Sequence, residues 1–374
     1  MEKRGRVRDY GLTVGNLVPG RYNAITDVPG VAIGHQTLIT GEGRLIVGEG
    51  PVRTGVTAIK PHNGNMFREK LVAASHIING YGKSIGLAQI EELGLLETPI
   101  LLTNTLNVGR VADSLLDYMI EQAPEIGITA STVNPVVCEC NDSYLNDIQG
   151  RHVGREQVFS ALNTASSGPV AEGGVGAGTG MSCFGFKGGI GTASRLIRLG
   201  REQFTLAALL LSNFGQTAEL IIAGVPVGRE LLKRGLAPRV LHPAGEGDGS
   251  VIIIIATDLI LTARQLGRVA RRAALGLSRV GSYVAHGSGD FVLAFSTGFK
   301  YPAQEQRVSL EKSFFNEDRY INTLFQATVE VTEEAVLNSL FTARTVVGRD
   351  NHCRESLPIN DVLDILSSYH ALAE

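Results

Sequence analysis

The chain has 374 residues and a formal net charge of −3, which gives it ample length for a large core and no basic surface for nucleic acid. Tryptophan is absent and aromatic residues make up only 6%, so stacking surfaces for single-stranded nucleic acid are also disfavoured. The 45 glycines exceed average usage while the hydrophobic fraction of 44% is ordinary, which indicates a folded protein with many tight turns and close backbone approaches.

Strand-like and helix-like segments alternate along the chain, with no repeat and no low-complexity linker between them. Apolar, β-branched runs predict strands over residues 31–39, 55–60 and 99–103 in the first third of the chain. Apolar residues at helical spacing predict helices over residues 66–78, 111–122 and 332–343. This alternation predicts an α/β layered protein in which helices cover sheets.

A further helix is predicted after Asp258, which is a suitable N-cap residue. Its apolar face repeats every three or four residues from Ala263 to Leu277, and Gly276 or Gly281 can end it. Four arginines occupy the other face, which is typical of a solvated or inter-subunit surface: Arg264, Arg268, Arg271 and Arg272.

The four cysteines form no zinc pattern, because only Cys138 and Cys140 are close in sequence. We therefore predict free thiols in a reducing cytoplasm, and neither a metal nor a cofactor. The first twelve residues carry charge without a following apolar stretch, so no signal peptide is predicted. The longest apolar runs, 206–211 and 251–256, fall far short of the ~20 residues of a membrane helix, so no membrane association is expected.

The segment GEGDGSVIIIIATD, residues 245–258, is the part of the sequence that indicates chemistry. A glycine-rich turn leads Ser250 directly into a β-branched run that is typical of a buried strand. Gly249 has no side chain to obstruct attack by the serine hydroxyl on the preceding carbonyl. Self-cleavage there would leave Ser250 with a free α-amine, whose pKa of about 7.7–8.0 suits a general base. Gly-Ser also occurs at 281–282 and 287–288, so this dipeptide alone is weak evidence.

The specific evidence is a series of motifs that resembles the L-aminopeptidase/D-esterase (DmpA-like) and β-aminopeptidase family of self-processing N-terminal-serine peptidases. The matching segments occur in the family's order along nearly the whole chain: DVPGVAIGH (27–35), TGVTAI (54–59), TPILLTNT (98–105), GGVGAGTGMSC (173–183), FKGGIGTASR (186–195), SNFG (212–215), GDGS (247–250), ATD (256–258), GSGD (287–290), AFST (294–297) and TEEAVLNSLFTA (332–343). The resemblance raises cleavage between Gly249 and Ser250 to the leading prediction.

The resemblance implies a single four-layer αββα sandwich of the N-terminal-nucleophile-hydrolase type. The precursor becomes an α-chain, 1–249, and a β-chain, 250–374, that stay together. It also implies a homo-oligomer, commonly of four such two-chain units. The implied reaction is removal of an N-terminal residue from a small peptide, amide or ester through an acyl-enzyme on Ser250.

The resemblance also implies roles for other residues. Asn213 corresponds to the family's oxyanion-hole asparagine, while Ser288 and Asp290 correspond to a pair around the nucleophile and its amine; relatives often carry Glu at the place of Asp290. Glu139 corresponds to the acidic residue that binds the substrate ammonium. Asn141 replaces an aromatic residue of some relatives, and Tyr144 is expected to line the same pocket.

Two alternatives remain open at this point. The first is an acyltransferase of the ornithine acetyltransferase-like type on the same scaffold, although such proteins cleave at a threonine. The second is a structural relative that folds without cleaving. The glycine-rich segment 174–180 fits neither of two phosphate-loop patterns, and we interpret its glycines as packing positions near the active site, with backbone oxyanion donors as a second possibility.

Overall fold

The computed structural model describes residues 4–238, 249–302 and 316–372. The strands, in chain order, are β1 (Ala32–Thr40), β2 (Val52–Lys60), β3 (Glu69–Gly80), β4 (Leu95–Leu96), β5 (Ile100–Asn104), β6 (Val136–Cys140), β7 (Ser182–Cys183), β8 (Phe186–Lys187), β9 (Gly189–Leu199), β10 (Glu202–Asn213), β11 (Gly249–Thr257), β12 (Ser288–Pro302), β13 (Val346–Val347) and β14 (Cys353–Arg354). The helices are α1 (Leu87–Leu93), α2 (Val108–Gln122), α3 (Arg155–Asn163), α4 (Val227–Lys233), α5 (Ala263–Ala270), α6 (Ala273–Arg279), α7 (Glu317–Thr342) and α8 (Ile359–Ser368).

Two stacked sheets form the centre of the molecule. One has the strand order β1-β2-β5-β6 and the other β4-β3-β12-β11-β10-β9. Helices α2 and α3 pack against the first sheet, whereas α5 and α7 pack against the second. The described part of the chain thus has the predicted layer order: helices, sheet, sheet, helices.

Strand β11 shows why its sequence is apolar at every position. Ile252 and Ile254 contribute to the core between the sheets, while Ile253 and Ile255 contribute to the core beneath α5 and α7. Because successive side chains of a strand face opposite sides, a strand covered on both sides needs apolar residues throughout. The predicted strand is confirmed, and it lies at the centre of the larger sheet.

The predicted helix over residues 66–78 is wrong, because this segment forms β3. Leu71 and Ala73 face the core between the sheets, whereas Val72 and Ala74 face the core on the helical side. A strand that is buried on both faces gives a continuous apolar run, and periodicity cannot distinguish such a run from a buried helix.

The prediction that Asp258 caps a helix is also wrong. Helix α5 begins after Thr262, whose side chain accepts a hydrogen bond from the backbone N–H of Gln265 in a capping box. Asp258 instead accepts from the backbone N–H of Thr205 at 2.7 Å, which ties the end of β11 to β10. The predicted single helix is divided into α5 and α6.

The arginine face of these two helices contacts α7 within the chain. Arg264 and Arg268 pair with Glu317, and Arg272 lies over the ring of Phe325 with 3.8 Å from Cζ to the ring centroid. These three arginines therefore join neighbouring helices of one subunit, and they are not simply a solvated surface.

Candidate active site

Strand β11 places Ser250 at the edge of the space between the two sheets. Side chains alternate along a strand, so Ser250 faces the same side of β11 as Ile252 and Ile254, which is the side between the two sheets. Ser250 is 4% exposed there. Its neighbours in the sheet are Asn213 on β10 and Gly289 on β12. A rigid central strand thus holds the hydroxyl between two neighbouring strands, with Asn213 beside it on β10 and Gly289 beside it on β12.

On the β10 side, the amide of Asn213 faces the Ser250 hydroxyl. Its Oδ1 accepts from the backbone N–H of Ser182 at 2.9 Å, which fixes the orientation of the amide. Its Nδ2 consequently points to the carbonyl oxygen of Asn141 at 2.9 Å and to Ser250 Oγ at 3.4 Å. The donor is already oriented towards the region where negative charge would develop on an attacked carbonyl.

On the β12 side, Ser288 and Asp290 form a buried hydrogen-bonded pair beside the Gly249–Ser250 peptide. Ser288 Oγ donates to Asp290 Oδ1 at 2.7 Å, and Ser288 is paired with Gly249 in the parallel register. A Cβ placed on Gly249 would lie 3.3 Å from Ser288 Oγ. The absence of a side chain at Gly249 therefore leaves the Ser288 hydroxyl close to this peptide.

The Asp290 carboxyl is 2% exposed, and its Oδ2 has no hydrogen-bond partner among the described residues. Burial raises the pKa of Asp290 to about 6, although hydrogen bonds from Ser288 and from the backbone of Val251 oppose the shift. A carboxyl with this pKa can gain or lose a proton near neutral pH.

Asn79 holds the loop that precedes β12, a role that no sequence pattern indicates. Its Nδ2 donates to the carbonyl oxygens of Ala285 at 3.2 Å and His286 at 2.9 Å, and also to that of Ser288. Asn79 directly follows the segment 66–78 that was predicted to be a helix, and no sequence spacing connects it to residue 288.

Glu139, in β6 of the opposite sheet, is fixed close to Ser250 by three hydrogen-bonded or packed neighbours. Its carboxylate accepts from the backbone N–H of Lys83 at 2.8 Å and from the Thr105 hydroxyl, and the residue is 3% exposed. A Cβ on Gly82 would lie 3.4 Å from Glu139 Oε1, and one on Gly289 would lie 3.0 Å from Gly82 Cα. These two glycines let the 81–83 backbone pass between Glu139 and the strand next to Ser250.

Asn141 and Tyr144 lie in the loop that follows β6, and both line the same cavity as Ser250. Asn141 contacts Asn213 through its carbonyl, while its side-chain Oδ1 accepts from the backbone N–H of Ser143 at 2.9 Å. The ring of Tyr144 stacks on His352 with 4.6 Å between ring centroids. Asn141 thus contributes its backbone to the site, which the sequence did not predict.

These residues meet in a cavity of about 990 Å³. It is lined by Gly249, Ser250, Ser288, Asn213, Glu139, Asn141 and Tyr144 among others, whereas Asp290 lies behind Ser288. Two arginines that were not singled out in the sequence, Arg349 and Arg354, also line it. The structure thus brings every predicted site residue to this cavity or to direct contact with one that lines it.

The glycine-rich segment forms a 3-10 turn, Gly176–Gly180, in which the predicted packing role is confirmed. A Cβ on Gly178 would lie 2.5 Å from the Gly173 carbonyl, and one on Gly180 would lie 2.3 Å from the Arg53 carbonyl. None of the residues 174–180 lines the cavity itself, but the segment leads into Ser182, which does and whose backbone N–H binds Asn213 Oδ1.

The four cysteines are free thiols, as predicted. Cys138 and Cys183 are buried, and burial raises the pKa of each thiol to about 12, so neither forms a thiolate nucleophile readily. In the described parts of the chain, no cluster of three or more His, Cys, Asp or Glu side chains is placed to hold a metal. No described helix combines the length and apolarity needed to cross a bilayer.

Comparison with known proteins agrees with this geometry. The sequence matches the model of Peptidase family S58 over residues 23–354. The beta-peptidyl aminopeptidase of Sphingosinicella microcystinivorans is 40% identical, over 98% of this chain and 93% of its own. A structure from Pyrococcus horikoshii OT3 has a TM-score of 0.91 at 51% identity, covering 98% of this chain and 99% of its own.

The L-aminopeptidase D-Ala-esterase/amidase from Ochrobactrum anthropi, described as a variant of the Ntn hydrolase fold, has a TM-score of 0.88 at 38% identity. The match covers 98% of this chain and 99% of that structure. Fold and site thus define a hydrolase of the aminopeptidase class with the Ntn-hydrolase fold. The chain belongs to peptidase family S58. These relationships give no support to the acyltransferase alternative.

Proposed function

We propose that this aminopeptidase cuts its own chain between Gly249 and Ser250 and then uses Ser250 as an N-terminal nucleophile. The observation that carries this proposal is the surroundings of Ser250 at the start of β11. Asn213 Nδ2 lies 3.4 Å from its hydroxyl, and the buried Ser288–Asp290 pair lies beside Gly249.

In the cleavage step, Ser250 Oγ attacks the carbonyl carbon of Gly249 and forms an ester as the Gly249–Ser250 amide bond breaks. The Ser250 nitrogen takes up a proton and becomes a free amine. Water then hydrolyses the ester, which yields a carboxylate on Gly249 and restores the hydroxyl. The Ser288–Asp290 pair is suited to transferring the proton, because a carboxyl with a pKa of about 6 exchanges protons near neutrality.

In the peptidase reaction, the same hydroxyl attacks the substrate carbonyl. The α-amine of Ser250 accepts the hydroxyl proton and passes it to the leaving amine, since its ordinary pKa lies near the working pH. Asn213 Nδ2 donates to the tetrahedral oxyanion. The resulting acyl-enzyme on Ser250 is then hydrolysed by water.

Glu139 is proposed to bind the ammonium group of the substrate's N-terminal residue. The carboxylate is nearly buried and is supported by the Lys83 N–H and the Thr105 hydroxyl, and no lysine or arginine side chain pairs with it in the described parts of the chain. A cation that reached it would gain charge-assisted hydrogen bonds. This recognition restricts the enzyme to peptides, amides and esters with a free amino terminus.

The named relatives guide the choice of substrate series. One acts on β-peptides and another on L-amino acid and D-Ala derivatives, according to their names. We propose that substrates of this enzyme include short β-peptides, and that assays should compare β-aminoacyl with α-aminoacyl p-nitroanilides of the same side chain.

A homo-oligomer, expected as four two-chain units in the cytoplasm, completes the proposal. Ile39, Ile46 and Val47, on and after β1, are 55%, 55% and 56% exposed. Neighbouring exposed apolar side chains of this kind are typical of a subunit interface. Light scattering coupled to size-exclusion chromatography measures the number of units directly.

Mass spectrometry of the purified protein tests self-cleavage. We expect fragments of 249 and 125 residues, with Ser250 at the second amino terminus, whereas Ser250→Ala should remain a full-length chain. An enzyme that is fully active while uncut would exclude this mechanism.

The second experiment tests Glu139 with one substrate, with and without an N-acetyl group. Acetylation removes the cation and leaves a buried carboxylate unpaired, so kcat/KM should fall about tenfold or more. Glu139→Gln should lower kcat/KM for the free amine and leave self-cleavage intact, because self-cleavage involves no ammonium substrate. Equal turnover of both substrates would refute aminopeptidase recognition without affecting the cleavage result.

A further inference from the structure

Arg354, in β14, is a half-buried cation in the cavity wall that pairs with no carboxylate among the described residues. Its Nε donates to Ser182 Oγ at 2.8 Å, and its guanidinium lies over the ring of Tyr144 with 3.5 Å from Cζ to the centroid. Its Nη1 is buried without an acceptor, and no carboxylate in the described ranges pairs with it. Burial lowers the pKa of Arg354, although the neighbouring Tyr144 opposes the shift.

The other arginine of the cavity has a different environment. Arg349 Nη1 pairs with Asp350 Oδ2 at 2.8 Å, and its Nε donates to the Ser143 carbonyl at 2.6 Å. The charge of Arg349 is therefore already compensated within the chain. Desolvated charges in proteins are normally paired, so the unpaired guanidinium of Arg354 indicates a site for an anionic ligand group.

Arg354 and Glu139 line the same cavity as Ser250. Arg354 donates to the hydroxyl of Ser182, whose backbone N–H binds Asn213 on the β10 side of Ser250. Glu139 packs against Gly82, which lies next to Gly289 on the β12 side. A substrate bound at Ser250 therefore has both a carboxylate and an uncompensated cation within the same cavity.

We propose that Arg354 binds the C-terminal carboxylate of the substrate, and that the preferred substrates are short peptides with both termini free. This inference rests on the proposed aminopeptidase function. The Tyr144 ring and the Ser182 hydroxyl hold the guanidinium in place, and its Nη groups supply the donors for the carboxylate of the leaving residue. Arg354 acts as a specificity-determining binding residue and takes no part in proton transfer.

The test compares one dipeptide as its free acid and as its C-terminal amide, with the matching p-nitroanilide as a reference. Wild-type enzyme is expected to favour the acid by about tenfold or more in kcat/KM, mainly through KM, because a charge-assisted pair is lost in the amide. Equal kcat/KM for acid and amide would overturn the proposal, and this comparison needs no variant. Turnover of the p-nitroanilide would show that the aminopeptidase function itself stands.

Arg354→Met should bring the acid-to-amide ratio close to one, and Arg354→Lys should restore part of it. The matched control is Arg349→Gln, which alters the compensated arginine of the same cavity and should keep the wild-type ratio. A ratio that collapses in the Arg349 variant and persists in Arg354→Met would place the carboxylate elsewhere and refute the assignment. If Arg354→Met fails to fold, the wild-type comparison still decides the proposal.

Discussion

The side chain of Asn213 is oriented before any substrate binds, because the backbone N–H of Ser182 and the carbonyl of Asn141 hold its two ends. Preorganised donors of this kind stabilise an oxyanion without reorganisation in the transition state. The fixed orientation of the Asn213 amide therefore stabilises the transition state more than its long 3.4 Å contact with Ser250 Oγ suggests.

Asn213→Ala should lower kcat by about 10²–10³, equivalent to roughly 2.7–4 kcal/mol, while the fold is retained. Self-cleavage should slow as well, since it passes through a similar oxyanion. Rates should be measured per processed chain, with the processed fraction counted by mass spectrometry. Asn141→Ala is the matched control, because it keeps the carbonyl that orients Asn213 and should lose far less. A processed Asn213→Ala enzyme with wild-type kcat would contradict the assignment.

The raised pKa of Asp290 has a consequence for stability. Because the folded pKa of about 6 exceeds the reference value of 3.8, the folded state binds more protons in this window and loses stability as the pH rises through it. In the uncut Ser250→Ala background, adding Asp290→Asn should remove this loss. Between pH 4 and pH 7, the unfolding free energy of the Asp290→Asn variant should rise by up to about 3 kcal/mol relative to that of its Ser250→Ala parent.

Denaturant titration of both variants across this pH range measures the shift, and groups common to both cancel in the difference. A difference that stays constant with pH would show that folding does not raise the pKa of Asp290, so that its carboxyl would be ionised and unable to carry a proton near neutrality.

At the scale of elements, helix α7 is joined to β9 by a buried ion cluster. Arg195 is fully buried and pairs with Glu330 at 2.8 Å and with Glu334 at 2.7 Å. Arg8 also pairs with Glu334 at 2.6 Å, so the cluster includes the amino-terminal segment. These contacts fix the helical layer on the outer face of the sheet that carries Ser250.

Arg195→Met should destabilise the protein by about 3 kcal/mol or more, because it leaves two buried carboxylates without their shared cation. Arg279→Met is the control, because Arg279, at the end of α6, also pairs with a glutamate of α7. Arg279 pairs with Glu333 at 3.0 Å through a side chain that is 53% exposed, so its loss should cost less than about 1 kcal/mol. Chemical denaturation compares the two variants, and equal effects would show that burial does not set the strength of the cluster.

At the scale of the whole molecule, the strand order explains how two chains would remain one protein after self-cleavage. Strands β11 and β12 belong to the carboxy-terminal piece, and they lie between β3 and β10 of the amino-terminal piece in one continuous sheet. Separation would break two ladders of backbone hydrogen bonds and expose both cores.

The cleaved fragments should therefore co-elute on size-exclusion chromatography and separate only in denaturant. Ser250→Ala, which stays uncut, is the control and should elute with the cleaved protein. Fragments that separate under native conditions would contradict the strand order at the centre of the sheet.

The sequence by itself determined the strand at Val251–Ile255, since a β-branched run after a glycine turn has few alternatives, and its motifs identified the family and singled out residues that the structure brings to one cavity. It could not determine β3, because burial on both faces hides the period of two that marks a strand. It also could not indicate Asn79 or Arg354. Asn79 acts on residues more than two hundred positions away, and Arg354 is distinctive only because no carboxylate of the described segments pairs with it. Such properties depend on which distant segments become neighbours, and only the tertiary structure decides that.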